Sequence, residues 1–378
     1  MSEDFSVVVI ARNEEKTLPR LIESLEGVED IVILDTGSTD NTVEVASEMG
    51  ARVECVGDRF IEIPTQEDIE TFISRYGFEP SFTTESKLFN YAAARNYAMT
   101  LAKNDFCFQP DCDEIVDWDL EKVKVLLPNC DQLSYRFCFA HAPDGSPLLE
   151  FTHCKFFRRS KGKWVKKVHE VVSGVSNRIL WTDEIYLHHW QQKNDNRSNM
   201  LPKLEYAILE TENDDRNTYY LAREYYYNSD FEHGVPMFEA YFRLPGWKPE
   251  RSQGCIYVGH LHKWHGKLEE AYEWYHRALM EDDSRREPFV ALADTLLENG
   301  RTRSAVAYYK AALEIPFNPN YYLNDMSLYG WMLDDKLSIL YDKLGEEEKA
   351  RYHWLEAVKH APEDQRIINN AKWFYRKK

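Results

Sequence analysis

Apolar residues along the chain fall into two regimes. Up to about residue 196 they come as short β-branched and aromatic runs alternating with stretches at helical spacing; from about Arg197 onward the character is helical and aromatic. The first run, Phe5-Ser6-Val7-Val8-Val9-Ile10, reads as a strand covered on both faces, as in parallel sheets. Leu18, Leu21, Ile22 and Leu25 then recur at helical spacing, which predicts an amphipathic helix from Thr17 to Leu25. Asp30 to Leu34 is a second buried strand, Val43 to Met49 a helix with Gly50 as its cap, and Arg52 to Val56 a third strand. This β-α-β-α-β alternation predicts a parallel sheet with right-handed crossovers. Such a sheet binds its ligands beyond the carboxyl ends of the strands.

Residues 58–86 break the alternation but are too apolar for a disordered linker, so they read as an insertion near the mouth of the site. Leu88 to Ala102 is expected as a helix whose alanines permit close packing on the sheet. Asp105 to Phe108 is strand-like, and Leu120 to Leu127 a short helix. Asp131 to Phe139 and Glu150 to Phe157 read as antiparallel strands joined through Pro143-Asp144-Gly145. The run from Lys155 to Lys167 is basic, and reads either as a local patch that attracts an anionic donor or as a solvated hairpin, the second slightly preferred. Trp164 to Val172 is an apolar strand pattern that contains His169-Glu170, and Ile185 to Trp190 is a strand that ends in His188-His189.

The second half repeats itself. Gly266 and Gly300 stand 34 residues apart, as do Ala271 and Ala305, which is the tetratricopeptide period. Another copy starts at Gly345 with Ala350, Trp354 and Ala357, and a degenerate first copy carries Gly234, Phe238 and Tyr241. Each unit of two helices cannot bury its apolar face alone, so the units stack. The expected architecture is therefore an α/β domain over 1–196 followed by helical repeats over 197–378.

Composition narrows the functions. With 46 Lys+Arg against 64 Asp+Glu, the net charge of −18 argues against nucleic-acid binding and against a basic membrane patch. No apolar run approaches the ~20 residues that cross a bilayer. The start, Met1-Ser2-Glu3-Asp4, lacks the features of a signal peptide. Seven cysteines without a C-x-x-C suggest free thiols in a reducing compartment, hence a cytoplasmic protein.

The candidate chemistry sits at predicted strand ends. Asp111 and Asp113 are separated by one residue, so an extended chain puts both carboxylates on one side. Hard oxygen ligands at that spacing suit Mg²⁺ or Mn²⁺, which can hold a diphosphate. Asp35 ends the second strand, where ligand contact is favoured over turn chemistry; for Asp40 the two readings balance. Arg95 could reach a phosphate. Neighbouring strand residues face opposite ways, so only one of His188 and His189 can point at a shared site.

Five segments in order resemble the family 2 glycosyltransferases of GT-A fold: Val7 to Glu15, Asp35 to Thr42, Ala94-Arg95-Asn96, Asp111-Cys112-Asp113-Glu114, and the later Val168-His169-Glu170 with Leu187-His188-His189-Trp190. The resemblance covers roughly the first half of the chain. It implies a GT-A, Rossmann-like nucleotide-sugar domain followed by an all-α tetratricopeptide-like domain. It also implies a metal-dependent, inverting transferase that uses a nucleotide sugar, a UDP-sugar for preference, with Mn²⁺ or Mg²⁺. By position, Ala11, Arg12, Glu14 and Asp35 would line the nucleoside, and Arg95 the diphosphate. Asp111 and Cys112 would lie beside the donor, with Asp111 near the ribose or a metal-bound water. Asp113 would be the principal metal ligand, completed by His188 or His189, with His189 preferred. Glu170 would be the catalytic base, Glu114 being an alternative. Cys112 replaces the alanine more usual in this branch.

The acceptor is left open between protein, peptide and glycan, and the repeats between holding it, docking a partner and forming a homo-oligomer. A scaffold with an inactive GT-A domain is the competing reading. A nucleotidyltransferase is disfavoured, because Ala11-Arg12-Asn13-Glu14 is not a glycine-rich phosphate loop.

Overall fold

The valine run folds as β1 (Phe5–Ala11), in which only Ile10 is not fully buried. In the computed structural model, which describes residues 2–142, 145–175, 178–190, 200–318 and 321–371, α1 (Leu18–Ser24) leads to β2 (Ile31–Asp35), and α2 (Thr42–Glu48) to β3 (Arg52–Cys55). Next come β4 (Ile61–Glu62), α3 (Gln66–Tyr76), β5 (Leu88–Phe89), α4 (Tyr91–Thr100), β6 (Phe106–Phe108), β7 (Glu114–Trp118) and α5 (Leu120–Leu126). The first unit is completed by β8 (Gln132–His141), β9 (Pro147–Arg158), β10 (Lys163–Val165), β11 (Val171–Ser173), β12 (Ile179–His189) and α6 (Met200–Ala207).

Eight strands form one sheet in the order β3-β2-β1-β6-β9-β8-β12-β7. β3, β2, β1 and β6 are mutually parallel, as the alternation predicts. Beyond β6 the sheet turns mixed. β9 is antiparallel to both β6 and β8, β12 is parallel to β8, and β7 closes the edge antiparallel to β12. Alternation along β1 explains its double burial. Val7 and Val9 face α1 through Leu18 and Leu21, while Val8 faces Ala94 and Ala98 of α4. Fully burying each such valine contributes roughly 1.5–3 kcal/mol.

Two expected elements differ. The helix expected from Leu88 starts later, because Leu88 and Phe89 pair with β4 and the Asn90 side chain caps α4 by accepting from Ala93 N. The apolar strand expected over Trp164 to Val172 is instead the β10–β11 hairpin, with Val165 opposite Val171. Residues 166–170 form its turn, where Lys166 and His169 take positive φ of 75° and 51°. Pro143 and Asp144 of the expected β8–β9 link lie outside the described residues.

The chain divides into 1–212 and 213–378. The division lies beyond the expected 196/197, and α6 belongs to the first unit. The second unit holds α7 (Asp215–Tyr227), α8 (Phe231–Phe242), α9 (Lys248–Trp264), α10 (Leu268–Glu281), α11 (Arg286–Glu298), α12 (Thr302–Leu313), α13 (Met332–Lys343), α14 (Glu347–His360) and α15 (Gln365–Asn369). The repeat is visible in its buried positions. Ala271-Tyr275-Ala278 on α10, Ala305-Tyr309-Ala312 on α12 and Ala350-Trp354-Ala357 on α14 are all buried, as are Gly234, Phe238 and Tyr241 on α8. A small, large, small face lets the next helix approach closely over one ring per turn. Gly266, Gly300 and Gly345 take φ of 71–75° just before α10, α12 and α14, a conformation glycine adopts without penalty.

Candidate active site

The two N-terminal motifs are locked to one another. Asn13, at φ 58°, accepts from Thr39 N at 2.7 Å and donates its own N–H to Ser38 Oγ at 2.9 Å. Asparagine is among the few side chains that tolerate this backbone. Asp35 is 4 % exposed, and its oxygens accept from Gly37 N and Ser38 N at 3.1 and 3.2 Å. Asp40 likewise accepts from Thr42 N and Glu15 N. Turn bonds hold Asp35 at the strand end, and its neighbour Thr36 lines the cleft. Ala11, Arg12 and Glu14 do line it.

That cleft, about 610 Å³, opens at the carboxyl ends of β1, β6 and β12. Asp111, Cys112, Asp113, Arg95, Glu170 and His189 converge on it. The Asn96 amide holds the β10 hairpin against α4, donating to Trp164 O and accepting from Trp164 N, each at 2.8 Å. One residue earlier, Arg95 donates from Nε to Glu170 Oε1 at 2.7 Å and from its terminal nitrogen to Asp111 Oδ1. The guanidinium is 3 % exposed and lies 5.0 Å from the Trp164 ring. Arg95 is thus a positioning residue for two carboxylates rather than the diphosphate contact expected of it.

Lys155 departs from the solvated hairpin preferred for its basic run. It is 6 % exposed, not part of a solvated hairpin, and donates to Asp111 Oδ2 at 2.5 Å and Glu114 Oε1 at 2.8 Å. Both Asp111 oxygens are therefore engaged by cations. Burial disfavours its charge, but Arg95 and Lys155 outweigh that and hold its pKa well below the usual carboxylate range. This leaves Asp111 poorly suited to the ligand role assigned to it. Glu114 is 1 % exposed and accepts from Asp111 N. Burial pushes its pKa up despite Lys155. Enclosed in this way, it cannot reach an acceptor as a base.

Strand alternation separates the histidines. His189 Nε2 meets Asp113 Oδ2 at 3.0 Å, and its Nδ1 meets Phe139 O at 3.1 Å. A carbonyl and a carboxylate both only accept, so both ring nitrogens donate here, and the Phe139 bond keeps the proton on Nδ1 when Nε2 gives up its own. Burial works against a charged His189, yet the bonds to Asp113 and Phe139 O raise its pKa. One oxygen donor and one nitrogen donor, tautomer fixed from behind, suit a divalent ion such as Mn²⁺. His188 does not join them. It faces the other side of β12, toward Asp117 and His141. Cys112 turns its Sγ to Ile10 O at 3.4 Å, away from the acids.

Residues 6–59 match the model of Glycosyl transferase family 2. The start of the first unit is thus similar to the family 2 glycosyltransferases. The chain is similar to the lipopolysaccharide core biosynthesis glycosyltransferase LpsC of Rhizobium meliloti, 30% identical over 176 residues, covering 44% of this chain and 55% of that protein. It is also similar to the 4,4'-diaponeurosporenoate glycosyltransferase of Staphylococcus haemolyticus, 44% identical over 55 residues, 14% of this chain and 15% of that one. The chain thus spans little more than half of LpsC. Among solved structures it is similar to YrrB, described as a TPR protein with an unusual peptide-binding site, at 15% identity and a TM-score of 0.34 over 45% of this chain and 80% of that one. The repeats are shown by the period and the buried faces described above. Lys87, Phe89, Tyr91 and Lys203 also line the cleft. Nothing in their local sequence marks them, because they reach it from the insertion's edge and from α6.

Proposed function

We propose that the chain is a metal-dependent, inverting glycosyltransferase that moves a sugar from a nucleotide sugar, a UDP-sugar for preference, to a hydroxyl acceptor. The observation that carries this reading is the convergence of Asp113, His189 and Glu170 on one cleft, with the tautomer of His189 and the orientation of Glu170 each fixed by a neighbour. Asp113 and His189 would hold Mn²⁺ or Mg²⁺, and when bound the ion supplies Lewis-acid stabilisation to the departing diphosphate. Ala11, Arg12, Glu14 and Thr36 would receive the nucleoside side of the donor. Arg95 holds Glu170 through Oε1, so that Oε2 accepts the proton of the attacking hydroxyl. Attack from the face opposite the leaving group inverts the anomeric centre. Lys155 and Arg95 fix Asp111 beneath the donor and keep the floor of the cleft rigid. The acceptor is a peptide, protein or glycan.

The test is nucleotide release from a panel of nucleotide sugars with Mn²⁺ and with chelator. Release from at least one donor that stops with chelator supports the reading. No metal-dependent release from any donor, with no UDP binding, leaves a helical scaffold bearing an inactive domain.

A further inference from the structure

On the face of β12 turned away from His189, three side chains converge that the proposed reaction does not use. Cys138 and His141 lie on β8 and His188 on β12. One donor atom from each falls within 4.8 Å of the others. Cys138 and His188 are direct partners in the parallel ladder, which puts their side chains on one face. His141 is three residues from Cys138, a spacing that in a regular strand points to opposite faces. The β8–β9 register slips between Cys138 and Ala140 and again between Ala140 and His141. Irregularities of this kind re-aim side chains, and here they bring His141 Nε2 to 3.1 Å from His188 Nδ1.

We propose that Cys138, His141 and His188 form a second metal site, of zinc type, distinct from the Asp113–His189 site. Two imidazole nitrogens bound at ~2.05 Å to a tetrahedral zinc stand about 3.3 Å apart, close to the separation present. A thiolate and two imidazoles are a borderline-soft donor set that selects zinc over Mg²⁺ or Mn²⁺. Asp117 Oδ2 lies 3.3 Å from His188 Nε2, an ion-pair contact rather than an aligned hydrogen bond. A carboxylate behind a ligating histidine is the usual outer partner of such a ring. On binding, the Cys138 S–H bond breaks, the proton goes to water and the sulfur lone pair forms the bond to zinc. Water would complete the tetrahedral set. The site would clamp the ends of β8 and β12 directly behind His189, since Phe139, whose carbonyl orients that ring, lies between Cys138 and His141. It does not depend on the proposed reaction.

The experiment is cobalt titration of the full chain, stripped of metal under reducing conditions. One equivalent should give a thiolate-to-cobalt charge-transfer band and tetrahedral d–d absorption, both displaced by zinc. The band should survive Cys55→Ser, which removes the exposed thiol, and Asp113→Asn, which disables the cleft ion. It should vanish in Cys138→Ser. His141→Gln, at the less buried edge, serves if Cys138→Ser fails to fold, and should weaken cobalt binding at least tenfold. A wild-type chain without a thiolate band, or a band that persists in Cys138→Ser or is unweakened in His141→Gln, would overturn the proposal and leave His141–His188 a simple imidazole hydrogen bond.

Discussion

Arg95→Met removes the one cation that the site's two positioned carboxylates share. Methionine keeps length and the contact with Trp164 while deleting the charge. Glu170 then has no ion-pair partner among the described residues, whereas Asp111 keeps Lys155. Removing one member of a buried pair costs about 3–5 kcal/mol. The Asp111 side chain is 39 % exposed and stays paired, which places the loss near the lower end, ~3 kcal/mol. For a unit of some 200 residues each kcal/mol moves the melting point by roughly 2–4 °C, so the transition should fall by about 6–12 °C. Arg95→Lys keeps the charge, but one ammonium cannot hold both carboxylates as the guanidinium does, so it should lose about half as much. With Glu170 no longer oriented, kcat should drop on the order of 100-fold while KM for the donor changes little. Thermal unfolding by circular dichroism and steady-state nucleotide release read the two effects. An Arg95→Met protein that melts within about 2 °C of wild type and turns over normally would refute this account of the residue.

Glu170→Gln should lower kcat by about 10²–10⁴ with manganese affinity intact, and calorimetry showing lost metal binding instead would place Glu170 among the ligands. Gly259→Ala would put a Cβ 2.3 Å from the buried Tyr275 ring, so stability of the repeat unit should fall by about 1–3 kcal/mol in urea; an unchanged midpoint would contradict the packing. Burial holds His260 down to about 4, and its Nδ1 lies 3.0 Å from the Tyr226 hydroxyl. Because that pKa is depressed from ~6.5, the contribution is present above pH 6.5 and lost as pH falls toward 4, about 3 kcal/mol in all. Urea midpoints at pH 7 and 4.5 should diverge more for wild type than for His260→Gln, and equal slopes would contradict the assignment.

Much of this arrangement is legible in the residues alone, and the exceptions share a cause. The parallel strands are readable because β1 and β2 are apolar on both faces, and the repeats because Ala271, Tyr275 and Ala278 recur one period later. Arg95 and Asn96 are visible as a motif, but their roles as clamps depend on a hairpin 68 residues away. Lys155 is hidden by its basic neighbours Arg158 and Arg159; its position against Phe156 and Phe157, inside an apolar strand, is the signal that it needs a buried partner. Alternation shows that His188 and His189 must diverge, yet only the pairing of β12 with β7 and β8 shows which one meets Asp113. Asp35 looks the same in a turn as at a ligand. Its bonds to the N–H groups of Gly37 and Ser38 are a matter of backbone direction that side-chain pattern does not encode.

The most direct test of the central claim is anomalous diffraction from crystals of the chain grown with manganese and UDP. The account predicts a manganese peak bonded to Asp113 and His189 Nε2, with the nucleotide in the cleft beside Arg12 and Thr36. A cleft without manganese, or an ion held by Asp111 while His189 stays on its aspartate, would contradict it.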